Sequence, residues 1–203
     1  MSRIPPIHQP ATAELAASFE RYTSVLGFVP NSVRILQRRP QMVLALGNLI
    51  AAAWGPDSTV DAGFKRLVAY MASHSAGCQY CVAHQVSGAL HLNVDERKLA
   101  AIWDYQTSDL YSPKERVALD FAVAAAAVPN GVSDELMARM QQHWSDDEIV
   151  EIAGVIAVFG FLNRFNDTMA TPLEPEAIGD AERLIARGRW APGKHVSAAP
   201  QLG

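Results

Sequence analysis

Twice in this chain a serine stands immediately before an apolar-periodic run with a glutamate three residues on, in Ser112-Pro113-Lys114-Glu115 and in Ser145-Asp146-Asp147-Glu148. A serine there takes the free N–H at the third helical position while the glutamate returns to the serine N–H, so each block starts a helix. Pro113, at the first helical position, strengthens the first signal. The rest of the chain is punctuated in the same manner. Thr12 and Gly27 bound a first helix, a short one follows Ser32, Pro40 opens another to about Ala53, and Trp54-Gly-Pro-Asp-Ser is a loop. Helices over about Val60–Ser75 and Cys78–Leu90 are split by Ala76-Gly77, and a short helix follows Asn93. The helix from Ser112 should end near Pro129, Ser133 caps the next, and the last runs from Ser145 to about Met169. No alternating β-branched run bounded by hairpin turns occurs, so the expected fold class is all-α, a compact multi-helix domain.

With 203 residues, 49% of them hydrophobic, the chain can bury a substantial core. We expect one domain over residues 1–190 and a flexible C-terminal tail over 191–203. A weak internal repeat suggests halves of about 1–110 and 111–190. Sliding the chain by 82 residues lays Leu67-Val-Ala-Tyr-Met on Ile149-Val-Glu-Ile-Ala, Cys81 on Asn163 and His84 on Asn166. One half would then keep the chemistry and the other carry asparagine in its place.

The net charge of −4, with no basic run longer than Arg38-Arg39, argues against a nucleic-acid partner. The first ten residues hold three prolines and no apolar core, so a cytoplasmic protein is expected. The longest apolar stretch, Ile149–Leu162, carries Glu151 and is too short for a bilayer, which requires about 20 residues. No membrane association follows from it.

The chemistry concentrates in His74-Ser-Ala-Gly-Cys78-Gln-Tyr-Cys81-Val-Ala-His84-Gln85. The only two cysteines stand three apart, which suits catalysis or metal binding in a reducing compartment better than stapling a secreted fold. Thiols at i and i+3 of a helix have Cβ atoms about 5–6 Å apart, within a modest adjustment of disulfide range. A helix N-terminus favours thiolate over thiol, so a lowered cysteine pKa is expected in that first turn. At about 100° per residue, His84 follows Cys81 around the helix and becomes its base or proton shuttle. Cys81 then attacks an electrophilic oxygen or a disulfide, Cys78 resolves the product into an internal disulfide, and an external dithiol resets the pair. His74 is either a proton relay or a structural histidine. His8, His91, His143 and His195 have no partner motif. Two other readings stay open: a non-redox protein holding a metal with His74, Cys78, Cys81 and His84, and a cofactor-free decarboxylase-like enzyme using a cavity elsewhere.

Around these residues, through Cys-x-Tyr-Cys-x-x-His, the helix before it and the Asn93-Val-Asp-Glu sequel, the chain resembles the carboxymuconolactone decarboxylase family, in its alkylhydroperoxidase D-like, peroxidase-related branch. The resemblance implies an all-helical fold, homo-oligomers built from dimers or trimers, and peroxidase or disulfide-reductase activity with no bound cofactor. Its substrate would be a hydroperoxide or disulfide and its electron donor an external dithiol. It also implies that Cys81 is peroxidatic and Cys78 resolving; true decarboxylases of the family lack the pair. Two positions depart from the family pattern. Its relay histidine often sits four residues after the second cysteine, where this chain has Gln85, and its relay glutamate falls at Arg66. The missing role could pass to His74, or to a carboxylate such as Glu115 or Glu151, whose ordinary readings are a capping-box member and a charged helix face.

Overall fold

The computed structural model describes residues 2–185 and 190–196, and every regular element among them is helical. In chain order these are α1 Ala13–Leu26, α2 Asn31–Leu36, α3 Pro40–Ala53, α4 Ala62–Ser75, α5 Gln79–His91, α6 Glu96–Ala100, α7 Pro113–Ala126, α8 Asp134–Gln141, α9 Asp146–Met169 and α10 Pro175–Ile185. Short 3-10 turns occupy Ile102–Asp104 and Gly193–His195. None of the helices is long and apolar enough to cross a membrane.

The starts follow the side chains that cap them. Thr12 Oγ1 accepts the Leu15 N–H at 3.3 Å, Asp61 accepts that of Phe64 at 2.7 Å, and both serine–glutamate boxes close as expected. Gly27 ends α1 in the left-handed region, φ 79°, where a side chain would be strained. The helix expected to run toward Pro129 stops at Ala126, and α2 begins at Asn31, just before Ser32. No helix is expected between Met169 and Ala191, and α10 lies there.

Helices α4, α5, α7 and α9 surround the main core, built from side chains such as Leu67, Val68, Val86, Leu119, Ile152 and Val155. Each such side chain contributes about 1.5–3 kcal/mol on burial. α10 packs along α5, and α1–α3 form a second cluster around Leu15, Phe19, Val33 and Val43. The bottom of α4 is pinned to α9 by the fully buried Lys65, which donates to the Ala53 carbonyl at 2.6 Å and ion-pairs with Glu151, itself bonded by Ser58 and Thr59. Glu151 is therefore a structural anchor and more than a charged helix face.

Two features bear on the expected halves and tail. The 82-residue slide maps the Ala76–Cys78 break onto residues 158–160, which lie inside the unbroken α9. At that point the first segment turns between α4 and α5 while the second continues as one helix. The tail expected from Ala191 is docked over its described part: Leu173 N–H donates to His195 O at 2.8 Å, and His195 is buried. The remainder of that stretch, residues 197–203, lies outside the described residues.

Candidate active site

Cys78 does not sit inside α5 but caps it. Its backbone is extended, with φ −88° and ψ 97°, and its Sγ accepts the Cys81 N–H at 3.4 Å. The positive φ of Gly77, 75°, turns the chain between α4 and α5 and lets Cys78 N–H donate to the Ser73 carbonyl at 3.0 Å. Both sulfurs thus belong to the first turn of one helix, as the spacing predicts.

Their environment differs from the expectation. Cys78 is 0% and Cys81 2% exposed, and neither lines the surface clefts at Arg116–His143 or at Asp61–Lys98. The larger cleft, about 270 Å³, is lined by Arg116, Asp120, Arg139 and His143. Burial pushes the Cys81 thiol well above its ordinary value, the neighbouring Cys78 adds to that, and the Asn166 amide, 3.5 Å from Sγ, pulls the other way. The lowered pKa expected from the helix N-terminus does not materialise at Cys81, because desolvation of the thiolate outweighs the field of a few N–H groups. At rest Cys81 is a protonated thiol.

His84 follows one turn later with its ring stacked on Tyr80, 4.3 Å between centroids, and edge-on to Phe28 at 5.5 Å. Its Nε2 lies 2.7 Å from Glu174 Oε2. Glu174 is 6% exposed and also receives the Tyr80 hydroxyl at 3.1 Å and the Asn31 N–H. Burial pushes this carboxyl up, but the His84 ring and the donors around it outweigh that and hold it below the usual carboxylate range. An ionised Glu174 accepts a hydrogen bond from His84 Nε2–H, which fixes the orientation of the ring.

The other anticipated residues lie apart. His74 packs edge-on against Trp103 at 4.1 Å, and burial lowers its pKa. Its described ring contact is thus with Trp103, which packs against the main core. No group of three or more His, Cys, Asp or Glu side chains that could hold a metal forms among the described residues, so the four-ligand alternative is not assembled. Glu115 closes its capping box and pairs with Lys98. The two departures from the family pattern meet each other: Arg66 Nη1 donates to Gln85 Oε1 at 3.3 Å, with its guanidinium over Trp54 at 4.9 Å.

Sequence reasoning missed Glu174 and Asn166. Glu174 precedes Pro175, the first residue of α10, and nothing in Thr171-Pro-Leu-Glu-Pro signals a buried carboxylate. The 82-residue slide pairs Asn163 and Asn166 with Cys81 and His84, without signalling that Asn166 meets Cys81 itself.

The carboxymuconolactone decarboxylase family model matches residues 40–124, from α3 to α7. An uncharacterised Escherichia coli (strain K12) protein, YnjA, is 29% identical over 117 residues, which are 58% of this chain and 64% of that relative. The debrominase Bmp8 superposes with a TM-score of 0.83 and 29% identity, covering 89% of this chain and 97% of that one. A cysteine-to-alanine variant of it in complex with 2,3,4-tribromopyrrole gives 0.84 and 28%, over 91% of this chain and 98% of that one. A peroxidase-related protein of Ralstonia eutropha JMP134 with an alkylhydroperoxidase AhpD core, 24% identical, shares the fold at a TM-score of 0.72 over 87% of this chain and 94% of its own. Over residues 40–124 the chain is thus similar to the carboxymuconolactone decarboxylase family, within an all-helical fold shared with the debrominase Bmp8 and with the alkylhydroperoxidase AhpD core.

Proposed function

We propose that the protein is a thiol-dependent peroxidase that reduces hydroperoxides through the Cys78/Cys81 pair. The observation that carries this reading is the shared first turn of α5, where Cys78 Sγ caps the Cys81 N–H beside the Asn166 amide. Sulfurs held this way convert to a disulfide with little backbone movement. His84, oriented by Glu174, is the base that takes the Cys81 proton. The Cys81 thiolate attacks the terminal oxygen of ROOH, the O–O bond breaks, and RO⁻ takes a proton to leave as ROH. Cys78 then displaces hydroxide from the sulfenic acid, releasing water and forming the Cys78–Cys81 disulfide. An external dithiol returns two electrons and two protons, so no bound cofactor is required.

Access requires movement, because both sulfurs are buried and Trp190 is docked on the Gln79 carbonyl at the start of α5. The reading also carries a reducing, cytoplasmic setting and an assembly of identical chains. Exposed Met42 and Leu49 on α3 and Val150 and Phe161 on α9 supply apolar surface for such an assembly.

The likeness to a debrominase supports a second reading, reductive debromination by the same sulfurs. Cys81 thiolate would take bromine from carbon, the carbanion would take a proton, and Cys78 would displace bromide, so that R–Br and two thiols give R–H, HBr and a disulfide. Dithiol-dependent consumption of cumene hydroperoxide and of a bromopyrrole, measured for the natural protein and for Cys81→Ser, decides between them. Loss of peroxide consumption in Cys81→Ser supports the proposal; full peroxidase activity in that variant overturns it.

A further inference from the structure

Asn163 and Asn166 stand one turn apart on α9, so they share one face of that helix. Asn166 gives its Nδ2 to Cys81 Sγ, which puts that face against the peroxidatic sulfur. Asn163 is only 2% exposed, yet among the described residues neither its Nδ2 nor its Oδ1 has a hydrogen-bond partner. Asn166 Oδ1 is equally unpartnered, as is the hydroxyl of the fully buried Thr171, whose N–H donates to the Asn166 carbonyl at 3.1 Å. A buried amide without partners is destabilising, and a leucine of similar shape would remove that cost. Nothing in the resting fold repays it.

We infer that Asn163 and Asn166 form the hydrogen-bonding cradle for the hydroperoxide at Cys81, with Asn163 as the residue that binds its oxygens. This rests on the peroxidase reading and specifies its substrate site. A hydroperoxide needs an acceptor for its O–H and a donor for the oxygen that departs as alkoxide, and the Asn163 amide supplies both. Its Nδ2–H then acts where negative charge develops as the O–O bond breaks. A carbon-bound bromine accepts hydrogen bonds weakly and would leave that donor unused.

The test compares the natural protein with Asn163→Leu and Asn163→Ala in three measurements: the urea midpoint, disulfide formation by diamide, and kcat/KM for cumene hydroperoxide with a dithiol donor. We expect Asn163→Leu to match or exceed the natural midpoint and to oxidise normally with diamide, because sulfur chemistry with a non-peroxide oxidant does not use the cradle. Peroxide kcat/KM should fall about 100-fold, the scale for losing one oxyanion donor, in both variants. Unchanged kcat/KM in a folded Asn163→Leu protein whose turnover still requires Cys81 overturns this inference alone. Turnover that survives Cys81→Ser overturns the peroxidase reading instead. A lowered midpoint together with unchanged turnover assigns Asn163 to structure and also contradicts the cradle.

Discussion

His84 and Glu174 are 90 residues apart in sequence and meet through Nε2 and Oε2 at 2.7 Å, directly after the cysteine turn. A histidine–carboxylate pair thus forms on the helix that the cysteines open, although the relay positions of the family pattern carry Arg66 and Gln85, which bond to each other.

Replacing His84 by alanine should lower peroxide turnover by about 10²–10⁴-fold, the usual contribution of a positioned acid–base group. Glu174→Gln keeps an acceptor oxygen for the ring but removes the charge that orients and supports it, so turnover falls with little loss of stability. Glu174→Leu strands the His84 ring, the Tyr80 hydroxyl and the Asn31 N–H, and costs about 1–3 kcal/mol for each buried group. Steady-state rates and urea melts of the three variants separate the effects; equal turnover in the natural protein and Glu174→Gln would remove Glu174 from the reaction.

Glu151 supplies a second test, on stability. Burial pushes its carboxyl up, but Lys65, Ser58 and the Thr59 N–H outweigh that and bring it to about 2. Because the folded value lies below the unfolded one of about 4.3, its contribution is fully present above that range and is lost as pH falls toward about 2. Urea midpoints measured from pH 6 downward should fall through this window, less steeply in Glu151→Gln. At neutral pH, Glu151→Gln should cost about 3–5 kcal/mol, since it leaves the Lys65 ammonium buried without its counter-charge. A midpoint within error of the natural one would contradict the anchor.

The sequence reading reached far on local structure and much less far on contacts between distant segments. Both serine–glutamate boxes, Thr12, Gly27 and Pro40 mark helix ends through side chains within a few residues, so those ends are legible. The cysteine turn is legible for the same reason. What could not be read is what packs onto that turn. Glu174, Asn166 and Trp190 arrive from far along the chain, and their spacing in sequence says nothing of it. The pKa of Cys81 was misjudged for the same cause: the helix N-terminus is visible in sequence, whereas the burial that outweighs it is a property of the whole fold.

Thiol labelling follows from that burial. Since Cys81 sits well above the ordinary thiol range, its alkylation by iodoacetamide in the native protein should be far slower at pH 7 than in urea, and should still be rising beyond about pH 8.5. Trp190 Nε1 donates to the Gln79 carbonyl at 3.3 Å, directly over the start of α5. Trp190→Ala should therefore speed labelling of both cysteines at every pH. Native labelling as fast as that in urea would mean the sulfurs are open.

The redox cycle itself is tested most directly by counting thiols in the reduced natural protein before and after one equivalent of hydroperoxide, then mapping the product by peptide mass. The account predicts a fall from two free thiols to none, one peroxide consumed per chain, and a single bridge between Cys78 and Cys81. Two thiols still free and unmodified after exposure to excess peroxide would contradict it.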